Sequence, residues 1–254
     1  MEKTKSYEID MCHGPLFRKI LLFTLPLMLS GILQLLFNAA DVVVVGRFAG
    51  NESLAAVGST GALTNLLVNL FIGLSVGANV LVARYYGARQ EEEVSQTVHT
   101  SILISLIGGV LLAVAGVILA RPLLKLMDTP EDVIDLSVRY MQIYFMGMPV
   151  MLLFNFGSAI LRAIGDTRRP LFYLSIAGVI NVILNLVFVI CFKLGVAGVA
   201  IATVISQCVS ASFIISCLVK SEGCFRLCRE KLHLSKDIGY RINVEIYKKG
   251  KPRF

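Results

Sequence analysis

The chain has 254 residues, 56% of them hydrophobic and only 16% charged, and its 24 Lys and Arg outweigh 17 Asp and Glu to give a net charge of +7. A soluble domain carries about 25% charged residues, so this composition, with a mean hydropathy of +0.75, excludes an ordinary soluble fold. The basic residues fall between apolar runs, so the charge needs no nucleic-acid partner to explain it.

Residues 1–19 form a tail of mixed charge (Glu2, Lys3, Lys5, Glu8, Asp10). A bilayer core takes about 20 helical residues to cross. Six runs reach that length: Ile20–Val45, Leu54–Ala83, Thr100–Ala120, Tyr140–Leu161, Leu171–Phe192 and Gly195–Val219. None shows the short alternating pattern of an outer-membrane barrel. The expected fold is therefore an all-α integral membrane protein, with six transmembrane helices in one antiparallel bundle over residues 20–219. Short connections make consecutive helices the expected neighbours. The first run outlasts the apolar core of a signal peptide and continues past Ala39-Ala40, so it reads as a retained helix.

The first run holds Pro26, which should bend it by removing a backbone hydrogen bond. Further along, Gln34, Asn38 and Asp41 share one face at i, i+4 and i+7. Asp41 is the only acid well inside any run. A charge at that depth costs roughly 2.5–3.5 kcal/mol on insertion scales and marks a functional position. It is a candidate for exchanging a proton, or for binding sodium with Asn and Thr oxygens completing the shell. Gln34 is open to two readings, a cavity wall or an interhelical hydrogen bond.

In the second run Asn65, Asn69 and Asn79 read as interhelical hydrogen-bonding residues. Gly73 and Gly77 there, Gly108, Gly109 and Gly116 in the third run, and Gly195 and Gly198 in the sixth read as close helix contacts. The connection Arg121–Arg139 carries Asp128-Thr129-Pro130, an expected cap and first-turn proline for the fourth helix. Its acids Glu131, Asp132 and Asp135 read as solvated. The fourth run contributes Tyr144 and Asn155 and should bend at Pro149. The fifth contributes Asn181 and Asn185, and the sixth Thr203, Ser206 and Gln207. Polar stripes on several helices together imply an internal hydrophilic cavity. After Val219 a basic stretch, residues 220–254, contains no spanning run. It reads as a poorly ordered cytoplasmic tail, truncated or frameshifted in character.

Nineteen of the 24 basic residues lie on one side if the N-terminus is cytoplasmic, which places both termini in the cytoplasm. No His, Cys or Ser is set beside a base as in an enzyme site, and His13, His99 and His233 read as lying outside or at the edges of the helices. Cys224 and Cys228, with only His233 near them in sequence, make too poor a set for zinc. Neither a metal site nor a cofactor is expected.

Three stretches carry a family resemblance: NAADVVVVGRFAGNESLAAVG (Asn38–Gly58), GLSVGANVLVARYYGARQ (Gly73–Gln90) and LRAIGDTRRP (Leu161–Pro170). They resemble the multidrug and toxic compound extrusion (MATE) family, in register over about residues 10–235. The resemblance implies a multi-pass protein of the inner membrane, a cation-coupled antiporter that exports drugs or metabolites, cationic or amphipathic ones, by alternating access. It assigns cation coupling to Asp41, by proton or sodium, and a helix bend to Pro26. It also assigns cavity lining to Gln34, Asn181, Thr203 and Gln207, beside the stripe residues Asn38, Asn155 and Asn185.

Two departures stand out. Asn185 occupies a place where some members carry a second acid, so Asp41 has no carboxylate there with which to share a proton. The family also resembles two six-helix lobes, whereas after Asp237 this sequence turns into the basic tail. A working cavity would then need the C-terminal lobe or a second copy of the chain. The competing readings are a remnant without transport activity and a flippase of lipid-linked saccharides, the latter disfavoured by the G-D-T-R-R-P loop and by the setting of Asp41.

Overall fold

Within a bilayer, backbone N–H and C=O groups find no solvent partner, so long apolar runs satisfy them as helices. The computed structural model describes residues 16–221 and 223–228, and among them every regular element is helical. The expectations for the two tails, with His13 and His233, fall outside the described residues apart from 16–19, 220–221 and 223–228. Seven α-helices follow in order: α1 (Leu16–Phe48), α2 (Asn51–Gly87), α3 (Glu91–Leu126), α4 (Ile134–Met146), α5 (Met148–Ala163), α6 (Arg168–Leu186) and α7 (Gly195–Lys220). A π-helical stretch, Val187–Cys191, prolongs α6.

Helices α1, α3, α7 and α6 with its extension are long and apolar enough to cross a membrane, and α4 with α5 adds a fifth if the bent pair forms one span. The remaining run lies in α2, 37 residues long but not among the helices apolar enough to cross, so four or five spans are found among the described residues where six are expected.

The fourth run is not one straight helix, for α4 and α5 meet at a bend of 48° around Gly147. Pro149 offers no N–H to the carbonyl of Phe145, so the helical ladder breaks there. A Cβ on Gly147 would stand 2.6 Å from Val204 of α7, which fixes how closely the elbow approaches that helix. By contrast α1 continues through Pro26, where the Ser30 hydroxyl donates to the Pro26 carbonyl at 2.8 Å.

Five connections each turn at a residue with positive φ: Gly50, Arg89, Asp128, Gly165 and Lys193. The α5–α6 connection explains its own sequence. Gly165, at φ 92°, takes a conformation that strains other residues. The Oδ1 of Asp166 then accepts the N–H groups of Arg168 and Arg169 at 3.2 and 3.1 Å, satisfying the first turn of α6. Its Oδ2 pairs with the Arg169 guanidinium at 3.2 Å. The α3–α4 connection departs from expectation. Asp128 is in the left-handed region, and α4 begins only at Ile134 with Val133 as its N-cap. Asp128-Thr129-Pro130 therefore forms the preceding turn and not a cap. Asp135 pairs at the surface with Arg121.

Packing also differs from a simple sequential bundle. Helix α1 lies chiefly on α6 and α2 chiefly on α5, while α3 packs on α4 and α5, and α7 on α4, α5 and α6. Absent side chains permit several of these approaches. A Cβ at Gly178 would overlap the Phe37 ring, one at Gly116 the Phe145 ring, one at Gly109 the backbone of Pro149, and one at Gly157 the Ile214 side chain. Gly73 faces open space and makes no such contact.

The core forms two apolar clusters. One gathers Val44, Val45, Met141, Phe145 and Val199 toward the α1–α2 and α3–α4 connections. The other gathers Val82, Val98, Leu161, Ile214 and Leu218 toward the α2–α3 and α5–α6 connections. The segment after α7 folds back onto the second cluster, burying Phe225 and Leu227. His99 holds it there. This side chain is 1% exposed and lies well inside α3, not at a helix edge as its place in the sequence suggested. Its Nδ1 faces the Ser95 carbonyl at 2.7 Å, and its Nε2 accepts the Cys228 N–H at 2.9 Å.

Candidate functional site

Phe37 of α1 seats on the bare backbone of Gly178 in α6. Asp41 lies one helical turn further on the same face of α1, and this seating brings it to the α6 pair Asn181 and Asn185. The Nδ2 of Asn185 donates to Asp41 Oδ1 and also faces Asn181 Oδ1 at 3.2 Å. Asn181 in turn donates to the Thr203 hydroxyl of α7 at 3.3 Å, and that hydroxyl donates to the Val199 carbonyl at 3.0 Å. Three helices thus share one polar chain, with Asn185 fully buried and Asn181 5% exposed.

One atom in this chain is left over. Oδ1 of Asn185 is buried and has no hydrogen-bond partner among the described residues. A buried acceptor without a donor costs roughly 1–3 kcal/mol. Carboxylate, amide and hydroxyl oxygens together are a donor set for a hard cation.

Asp41 opens on a cavity of about 590 Å³, walled by α1, α2, α4, α5, α6 and α7. Gln34, Asn38, Asn155, Asn181, Thr203 and Gln207 all line it. Asn155 is tied back to the Met151 carbonyl at 2.8 Å. Asn185 stands behind the wall and touches the cavity only through Asp41 and Asn181. Pro26 is buried and lies outside the cavity lining.

Part of α2 differs from the expectation of interhelical bonding. Asn79 does hydrogen-bond a neighbouring helix, at 2.8 Å to the Ala159 carbonyl of α5. Asn65 and Asn69 instead line the cavity, together with Thr60 and Thr64. Nothing in residue type separates these asparagines. Their i, i+4 spacing, shared with Gln34 and Asn38, was the available signal. Tyr140 and Tyr144 complete the wall, their rings stacked with centroids 6.2 Å apart. Among the described lining residues, Asp41 is the one carboxylate, and there is no Lys, Arg or His.

Comparison with known proteins places this site in a family context. The MatE family model matches residues 26–187. The chain is 38% identical over 194 residues to a probable multidrug resistance protein, YoeA, of Bacillus subtilis, covering 75% of this chain and 42% of that protein. It is 30% identical over 207 residues to an FAD transporter of Shewanella oneidensis, covering 80% and 45% respectively. A solved structure of a transporter from Pyrococcus furiosus, described as having a binding pocket of reversed polarity, superposes with a TM-score of 0.87 at 28% identity, over 97% of this chain and 54% of that one. The chain thus spans about half the length of the relatives it matches. With the family model matching residues 26–187 and a relative 38% identical over 75% of the chain, the chain belongs to the MatE family.

Proposed function

We propose that residues 20–219 form the N-terminal six-helix lobe of a cation-coupled antiporter that exports drugs or metabolites. In this reading the lobe sits in the inner membrane with both termini cytoplasmic, and the excess of basic residues on one side supports that orientation. The observation that carries the proposal is Asp41, held by Asn185 at the wall of a polar cavity beside an unsatisfied amide oxygen. Proton or sodium binding there changes the charge of Asp41 and the load on its bond to Asn185. That bond joins α1 to α6, so cation occupancy is linked to the seat of α1. A ligand shifts such an equilibrium only through its different affinity for the two arrangements, and this contact is where the difference arises.

One carboxylate and no cationic side chain among the described lining residues suit cationic or amphipathic substrates. The same lining disfavours a flippase, since lipid-linked phosphates would meet no positive charge. A second lobe, from a continuing chain or from another copy, closes the cavity in this account.

The test is dye retention in an efflux-deficient, drug-sensitive host. Cells make the chain alone, or residues 1–228 joined to the C-terminal half of the Bacillus relative, each with and without Asp41→Asn. Export that Asp41→Asn abolishes supports the proposal. Membrane-inserted protein that exports in neither form favours the inactive remnant, and export indifferent to Asp41→Asn removes the coupling role.

A further inference from the structure

The cavity amides fall into two sets. Asn155, Asn181 and Gln207 are bonded to the protein. Gln34 and Asn38 of α1 and Asn65 and Asn69 of α2 are exposed, line the cavity, and make no side-chain hydrogen bond to any described residue. Exposed on the cavity side, each keeps its donor and its acceptor free for whatever occupies that space. Four of them spaced as two i, i+4 pairs around one space therefore point to something that fills it.

Carboxamides constrain what that is. Each presents an acceptor and a donor side by side, and so reads a ligand edge on which a donor adjoins an acceptor, as Asn and Gln do with adenine. Charge narrows the class further. With no Lys, Arg or His among the described lining residues, nothing is present to hold a phosphate or carboxylate, and Asp41 is already engaged by Asn185. The stacked Tyr140 and Tyr144, with Phe37 and Phe154, line the same cavity and offer aromatic surface to a flat ring. A volume of about 590 Å³ lies within the usual range for small-molecule sites, about 300–1,000 Å³.

We infer that Asn65 and Asn69, with Gln34 and Asn38, form a recognition edge for an uncharged planar heterocycle bearing adjacent hydrogen-bond donors and acceptors. The inference rests on the reading of the cavity as a substrate site and narrows its cationic or amphipathic substrates to an uncharged, amphipathic class.

The experiment uses the full chain in lipid nanodiscs and three probes. Lumiflavin is an uncharged fluorescent tricycle with an acceptor–donor–acceptor edge. Its N3-methyl derivative keeps the ring and blocks the donor. Tetraphenylphosphonium is a cation with no hydrogen-bonding group. Lumiflavin should bind about tenfold or more tightly than the N3-methyl form, the worth of one well-made hydrogen bond and its unpaired partner. Asn65→Leu and Asn69→Leu should each erase that preference while tetraphenylphosphonium affinity stays within about twofold, and Asn69→Gln should keep part of it.

Equal binding of the two flavins overturns the inference, as does binding of tetraphenylphosphonium alone, and either result leaves the export proposal standing. If none of the three binds to helical, inserted protein, the substrate-site reading falls as well. Variants that alter self-association without altering ligand affinity would transfer the amides to a protein interface, which also overturns the inference.

Discussion

The contact between Phe37 and Gly178 makes a quantitative prediction, because it sets how α1 meets α6. In Gly178→Ala the new Cβ would overlap ring atoms Cδ2, Cε2 and Cζ of Phe37. Ordinary carbon contacts lie at about 3.5–4.0 Å, so the ring must move by well over an ångström or carry α1 with it. Overpacking of this kind costs about 1–3 kcal/mol. At 2 kcal/mol, thermal unfolding in nanodiscs should fall by about 4–8 °C, on the scale of soluble chains of this size. Asp41 is one turn from Phe37, so the bond to Asn185 stretches with the same movement.

Phe37→Ala removes the obstructing ring, and in that background Gly178→Ala should cost little. The four proteins of this cycle, followed by circular dichroism, should show a coupling well above the about 0.5 kcal/mol within which independent sites add. Additive shifts would refute the account of how α1 is seated.

Other perturbations separate buried contacts from surface ones. Asn185→Leu takes from Asp41 its amide donor and removes the orphaned oxygen. Loss of a group that orients an ion ligand costs about 10–100-fold in affinity, and sodium or proton competition titrations should show a fall of that size. His99→Leu leaves the Cys228 N–H without its acceptor. Amide exchange across residues 225–228 should quicken about tenfold, while α6 exchanges as before. Arg121→Ala breaks a pair whose side chains are 55% and 83% exposed. The melting temperature should stay within about 2 °C, since exposed pairs contribute roughly 0–1 kcal/mol.

What could be read from the sequence depended on whether local pattern or distant contact decided the outcome. The place of Asp41 on a cavity wall was legible because an acid inside an apolar run needs polar surroundings, and Pro149 announced a bend because it lacks an N–H. Other features depend on contacts that no single run displays. The lean of α1 on α6 arises from one ring meeting one glycine in a non-adjacent helix. Asn65, Asn69 and Asn79 lie on the same helix and differ only in what stands opposite. His99 was misplaced because the apolar run begins at Thr100 whereas α3 begins at Glu91, which leaves the imidazole two turns inside the helix. The Asp166 cap rests on a left-handed turn at Gly165 that pattern alone does not reveal.

The central claim is that Asp41 and Asn185 form a cation seat. Infrared difference spectroscopy of the purified lobe between acidic and alkaline buffer, with and without sodium, tests it directly. A carboxyl band should respond to pH, be suppressed or shifted by the coupling ion, and vanish in Asp41→Asn. A difference spectrum from Asp41→Asn identical to that of the unaltered chain would contradict it.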